Sequence, residues 1–204
     1  MKNFAAKYSR LYPSVKHTIK KYNLEALVDV SLFIVITLII HYLYRFWAIR
    51  LHYVPITDYI MAGRKFLSEV LYTQSAWIVD HVFGITFTGV AHTKTLYFPN
   101  NGFIAVNLSC SGFKQILQFG LLMIVYPGPW KHKLWYIPVG IIIVHLTNIF
   151  RITGLSVVIV NWPDYWNFSH DYLFRPFFYV VIFSLWVLWV ERISPLGNKK
   201  RQNQ

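Results

Sequence analysis

The chain has 204 residues, of which 55% are hydrophobic, 19% aromatic and only 14% charged, with a mean hydropathy of +0.40. A soluble domain of this length has no need of so much apolar surface, so the composition points to a polytopic membrane protein with one compact membrane domain. The formal charge of +12 raises nucleic acid as a partner, but the cations cluster beside apolar runs and no nucleic-acid module accompanies them, which leaves the lipid bilayer as the anionic partner.

Residues 1–26 read as a basic cytoplasmic tail, because Lys2, Lys7, Arg10, Lys16, Lys20 and Lys21 all precede the first acidic residue, Glu25. A first membrane span is expected over about Leu27–Trp47. It is longer than a signal-peptide core and no small-residue cleavage site follows it, so it reads as a retained anchor. Asp58–Val82 then sets Ile60, Leu67, Val70, Leu71, Gln74 and Ile78 at roughly helical spacing, with Arg64, Lys65, Glu69 and Asp80 among the remaining positions. That pattern predicts an amphipathic helix, with a fifth span as the competing reading. About Ile85–Leu108 is strand-like, and Asn100-Asn101-Gly102 between Leu96-Tyr97-Phe98 and Phe103-Ile104-Ala105-Val106 predicts a hairpin.

Further spans are expected at about Ser111–Tyr126, Leu134–Val160 and Leu173–Val190. Pro127-Gly128-Pro129 ends the second and opens a short loop with Lys131 and Lys133. Trp47, Trp130, Trp135, Trp162, Trp166 and Trp189 fall near span ends, as interfacial aromatics do. Lys199, Lys200 and Arg201 make 193–204 a second basic tail. Counting positive charges places both termini and the Lys131/Lys133 loop in the cytoplasm, with Arg50–Ser109 and Asn161–Tyr172 facing outward. The expected fold is an all-α integral membrane protein with about four transmembrane helices, an amphipathic helix and a small outward-facing β-hairpin. Its catalytic domain is 27–192, with 50–109 as the outward segment.

In this topology Cys110, the only cysteine, stands at the outer boundary and at the N-terminus of the second span. A lone cysteine makes no internal disulfide and a poor metal site, and it fits a packed thiol as well as a nucleophile activated by a helix N-terminus and nearby cations. Arg151 lies inside the third span, roughly 13 Å below its outer end at 1.5 Å per residue. An ionised side chain at that depth costs at least ~2.5 kcal/mol on insertion scales and normally faces a polar interior. His145 and Asn148 precede it at three-residue steps on broadly the same helix face. Asn148 is expected to orient Arg151 or bind a neighbouring helix, and His145 to make an interhelical hydrogen bond. Gly154 is expected to leave room above the guanidinium. His170, at the outer start of the fourth span, suits proton transfer near neutral pH. Asp171 is a candidate to tune or orient that imidazole, although adjacent residues point in different directions on a helix. Lys114, one turn beyond Cys110, reads either as a cation favouring thiolate or as an interfacial lysine. A thiol, a guanidinium and an imidazole from three spans at one layer form an acyl-transfer constellation.

With Ser109-Cys110-Ser111-Gly112, Asn148-Ile149-Phe150-Arg151-Ile152 and His170 in this order, the chain resembles the exosortase/archaeosortase family of integral-membrane cysteine transpeptidases over about Gly84–Arg192. The resemblance implies Cys110 as nucleophile, Arg151 as the cation that orients substrate or stabilises an oxyanion, and His170 as acid/base. Asn148, Ser109, Ser111 and Gly112 would support them. It implies exported protein substrates with a C-terminal motif, transmembrane helix and basic tail, an acyl acceptor of unknown kind, and the bacterial inner membrane, because His170 matches the exosortase branch rather than the archaeal one. No cofactor and no metal are expected. Two features depart from the family: Ser109 stands where alanine is frequent, and the chain is short. The rival readings are a non-enzymatic scaffold or transport subunit with a similar core, and a different membrane hydrolase using Ser109 or Ser111, for which no Gly-x-Ser-x-Gly elbow is present.

Overall fold

The computed structural model describes residues 25–50, 56–126 and 128–193. The basic clusters of both tails, Lys2 to Lys21 and Lys199 to Arg201, lie outside them, as does the side chain of Trp47. Three helices among the described residues are long and apolar enough to cross a bilayer: Leu27–Phe46, Trp130–Asn161 and Pro163–Ile193.

Helix α1 spans Glu25–Arg50 without an internal Gly or Pro, so nothing interrupts its backbone ladder. Many of its residues are β-branched and would weaken a helix in water; in lipid the backbone must satisfy itself, and the helix is the way to do so. Its residues up to Arg45 belong to one compact unit, and the residues from Phe46 onward form the second.

In that second unit, helix α2 spans Ile56–His81, within one or two residues of the predicted amphipathic segment. Ser68, Leu71, Ser75 and Val79 form its buried stripe at steps of three and four, while Lys65, Glu69 and Asp80 are exposed. Asp58 in the first turn and His81 in the last match the helix dipole. The chain leaves α2 through Gly84, whose φ of 62° is left-handed and whose N–H donates to the Asp80 carbonyl.

The predicted hairpin is present and is part of a larger element. Strands β1 (Thr88–Val90), β2 (Thr95–Tyr97) and β3 (Phe103–Ala105) form an antiparallel sheet in the order β1-β2-β3. Leu96 pairs with Ile104 and Tyr97 with Phe103, around a turn where Asn101 takes φ 62°. Leu96, Phe98, Ile104 and Val106 share one face and are buried with Leu71 and Val79 of α2. Tyr97 and Phe103 stand exposed on the other, with ring centroids 6.0 Å apart.

Helix α3 spans Phe113–Val125 and is shorter than the predicted second span. Thirteen residues rise only about 20 Å, against a hydrocarbon core of roughly 30 Å. Helix α4, Trp130–Asn161, contains the predicted third span and begins four residues before it. The two pack closely at Gly140, where a Cβ would stand 2.1 Å from Phe119 Cζ. Lys133, counted above as a loop cation, is buried; its ammonium donates to the carbonyls of Ile124 (2.9 Å) and Tyr126 (2.7 Å), closing the C-terminus of α3.

Helix α5 runs over Pro163–Ile193, so the segment expected as an outward loop, Asn161–Tyr172, is almost entirely helical. It opens with a 3₁₀ turn at Pro163–Tyr165, widens into a π-helical stretch at Ser169–Phe174, is α-helical over Arg175–Leu188 and ends in a second π turn. The Tyr136 hydroxyl donates to the Leu185 carbonyl, and Trp189 fills the space beside Gly128. At the opposite end Asn100 Nδ2 donates to the Ile159 carbonyl (2.7 Å), seating the sheet turn on the last turn of α4. The sheet, the N-terminus of α3, the C-terminal half of α4 and the start of α5 therefore meet at one end of this unit.

Candidate active site

Cys110 occupies the loop that carries the chain from β3 to α3. Asn107 folds this loop: its Oδ1 accepts the N–H groups of Ser109 (2.9 Å) and Cys110 (3.1 Å), an Asx turn. Ser111 Oγ donates to the Leu108 carbonyl (2.9 Å) and accepts the Phe113 N–H (3.3 Å), which turns the chain into α3. Ser109 is exposed, Ser111 is buried and Cys110 is partly buried against the apolar cluster that includes Ile152 and Phe174.

Gly112 caps α3 with φ 77°, and a Cβ there would stand 2.7 Å from Asn148 Nδ2. Both the left-handed backbone and the close approach require glycine. The approach has a purpose, since Asn148 Nδ2 donates to the Cys110 carbonyl at 2.8 Å. Asn148 thus holds the cysteine loop rather than Arg151. Gly112→Ala is expected to lower stability by about 1–3 kcal/mol through the forced φ alone. The check is thermal unfolding of the solubilised protein, with Gly120→Ala, where a Cβ meets nothing within 4 Å, as the neutral comparison.

Arg151, one turn further along α4, is partly buried, and its Nη2 donates to His170 Nε2 at 3.1 Å. Guanidinium groups only donate, so Nε2 presents its lone pair and the ring proton sits on Nδ1. Nδ1–H donates to Asp171 Oδ1 at 2.8 Å, and Arg175 Nη2 lies 3.1 Å from the same oxygen. The neighbours that were expected to diverge therefore meet, on the widened π turn Ser169–Phe174. Trp166 stacks on His170, with centroids 5.8 Å apart and planes 19° from parallel. The Arg151 guanidinium interacts electrostatically with Cys110, Arg175 and Asp171. Hydrogen bonds and an ion pair thereby link Arg151, His170, Asp171 and Arg175 across two helices, and the guanidinium lies within electrostatic reach of Cys110 on its loop.

Two polar atoms at this site are buried without a hydrogen-bond partner among the described residues, Arg151 Nε and Asn148 Oδ1. Buried polar atoms left without a partner, whether a donor like Arg151 Nε or an acceptor like Asn148 Oδ1, are uncommon and costly. His145 behaves as expected, its Nε2 lying 2.7 Å from Gln74 Oε1 and tying α4 to α2. The room expected beside Gly154 is taken by Phe174, whose Cζ would be 2.5 Å from a Cβ. Asn107 and Arg175 escaped the sequence reading in these roles. For Asn107 the signal was present, an asparagine two and three residues before the N–H groups it binds.

Fold and site together define a multi-pass membrane protein whose thiol, guanidinium and imidazole are gathered at one end of its helices. The family model for transmembrane exosortases matches residues 27–190, and the chain belongs to that family. Neither the curated proteins nor the solved structures give a match.

Proposed function

We propose that the chain is a membrane-embedded cysteine transpeptidase that cleaves C-terminal sorting signals of exported proteins at the outer face of the inner membrane. In this reading α3 is a short fourth crossing that the bilayer thins to meet, which makes both termini cytoplasmic and turns the site end of the helices outward, in keeping with the basic segments of the sequence. The observation that carries the reading is the connected set Arg151–His170–Asp171, with Cys110 packed against the same apolar cluster as Ile152 and Phe174, in a chain of the exosortase family.

His170 Nε2 takes the Cys110 thiol proton, giving up its hydrogen bond to Arg151. The thiolate adds to the substrate carbonyl carbon, and the carbonyl electron pair moves to oxygen. Arg151, released from the imidazole and with its Nε unpaired, donates to that oxyanion. Collapse breaks the C–N bond, the leaving amine collects the proton from His170, and a thioester remains on Cys110. An acceptor amine, or water, then attacks the thioester and gives its proton to His170 as the C–S bond breaks. Transfer of that proton to the departing thiolate restores the thiol and the neutral imidazole. Asp171 holds the Nδ1–H tautomer throughout and supports the imidazolium while it exists. No step calls for a metal or cofactor.

The test is co-expression with an exported protein from the same genome whose C-terminus carries a short motif, a hydrophobic helix and a basic tail. The wild type should shorten that protein, and its loss on deleting the motif should stop the reaction. No shortening of any such protein sinks the reading. Asp171→Asn should lower the single-turnover cleavage rate at least about 10-fold, part of the roughly 10²–10⁴ that a positioned acid–base group supplies. Substrate affinity and alkylation of Cys110 by a small maleimide should stay near wild type. An unchanged rate would remove Asp171 from the site.

A further inference from the structure

We propose that the free edge of β3 is the substrate-docking strand, pairing with the extended main chain of the sorting signal beside Cys110. This rests on the transpeptidase reading and adds how the peptide is held. The register fixes which groups face outward. Phe98 N–H donates to Gly102 O and Val106 N–H to Lys94 O, so the positions that bond across β2–β3 are 98 with 102, 96 with 104, and 94 with 106. Antiparallel ladders alternate, so the N–H and C=O groups of Phe103 and Ala105 point away from β2. They have no hydrogen-bond partner among the described residues. A row of unpaired main-chain groups at strand spacing is a template for another strand.

Three features make that strand a substrate peptide rather than a lipid or a second copy. Alternating donors and acceptors match a peptide main chain and have no counterpart in an acyl chain. The edge is continuous with the reaction centre, since β3 passes through the Asn107 turn straight into Cys110. A peptide laid along Phe103 and Ala105 is thereby carried to the thiol in an extended form that presents its carbonyls. The edge is also held in place. Ser68 Oγ donates to the Val106 carbonyl at 2.6 Å, and Asn100 anchors the turn to α4, so the template is ordered before the peptide arrives. The outer face beside it carries Phe103, 57% exposed, next to Tyr97, an aromatic shelf for a substrate side chain. Recognition through the main chain leaves the sequence of the motif to be read by such side-chain contacts.

The test is Ala105→Pro, which removes one outward N–H and none from the β2–β3 ladder; proline is tolerated on a free edge. Ala105→Val keeps the N–H, and Ile104→Pro, which loses a ladder donor, serves as the misfolding standard. With the co-expressed signal-bearing protein as probe, Ala105→Pro should slow cleavage at least about 10-fold, as expected for loss of a docking hydrogen bond with its register. Ala105→Val, which keeps the N–H, should lose clearly less activity than Ala105→Pro, and maleimide should label Cys110 equally in both. A photo-crosslinking residue at Phe103 in a Cys110→Ala background should capture the uncleaved probe. Normal cleavage by Ala105→Pro overturns the proposal, as does a Phe103 adduct to a second copy of this chain or to lipid alone. If Ala105→Pro unfolds, the crosslink decides by itself. Cleavage that persists in Cys110→Ala would instead defeat the transpeptidase reading, so the two failures are told apart.

Discussion

Cys110→Ala is expected to abolish cleavage of a signal-bearing protein, with a fall on the order of 10⁴-fold or more, the scale seen when a covalent nucleophile is lost. The protein should remain folded, because Cys110 is only partly buried and touches the edge of its apolar cluster rather than the centre. Alanine keeps the backbone N–H that Asn107 holds and the carbonyl that Asn148 holds. Loss of cleavage with retained thermal stability therefore isolates the chemistry of the thiol. Cys110→Ser is the more demanding variant, since a hydroxyl is much less acidic than a thiol and its proton must be removed during attack. It is expected to fail as well, or to leave an ester that persists. Wild-type cleavage by either variant would return Ser109 or Ser111 to consideration, although Ser111 Oγ is already engaged in the turn into α3.

Arg151→Gln carries the second large expectation, a drop of about 10²–10³ in the cleavage step, the usual effect of losing an oxyanion donor. Substrate binding should change little, because the proposed docking contacts are made by the main chain of β3 and not by a side chain of α4. Arg151→Lys should recover only part of the loss. An ammonium keeps the charge that interacts with Cys110, but one compact donor group cannot reproduce the planar fork that reaches His170 while holding Nε for another partner. Single-turnover measurements at saturating substrate separate these effects from binding. A rate within threefold of wild type in Arg151→Gln would show that the guanidinium takes no part in the chemistry. Thermal unfolding of both variants is the necessary companion, because a buried cation that leaves unpaired neighbours can act on stability instead.

The membrane character of the chain and its helices α1, α2, α4 and α5 were legible from apolar runs and amphipathic spacing, since burial in lipid imposes long uninterrupted patterns. The hairpin was legible from Asn100-Asn101-Gly102. The third strand lay inside the stretch Ile85–Leu108 read as strand-like, but its bounds were not legible, because β1 is three residues long and two of them are exposed, so period-two alternation had nothing to act on. The second span was overestimated because apolarity does not report where a helix stops. Gly112 begins α3 late and the Lys133 ammonium closes it early.

At the site, residue type and depth pointed to Cys110, Arg151 and His170, and the fold brings Arg151 and His170 into direct contact. The partners of these residues were less legible. Asp171, named as a partner for His170, was given little weight on α-helical geometry, and a π turn changes the directions in which adjacent side chains leave the backbone. Gly154 was read as empty space, whereas it admits the ring of Phe174 from a helix whose start was placed ten residues too late. Both misreadings share one cause, because side-chain direction near the start of α5 depends on a local widening that periodicity does not encode.

The most direct test of the account is the intact mass of the enzyme during a single turnover with a signal-bearing substrate and no acceptor amine, quenched in acid. The account requires a transient adduct equal in mass to the upstream substrate fragment. It should lie on Cys110, the only cysteine in the chain, be released by hydroxylamine and be absent from Cys110→Ala. Cleaved substrate that accumulates while the mass of the enzyme stays unchanged at every time point, with the same cleavage in Cys110→Ala, would contradict it.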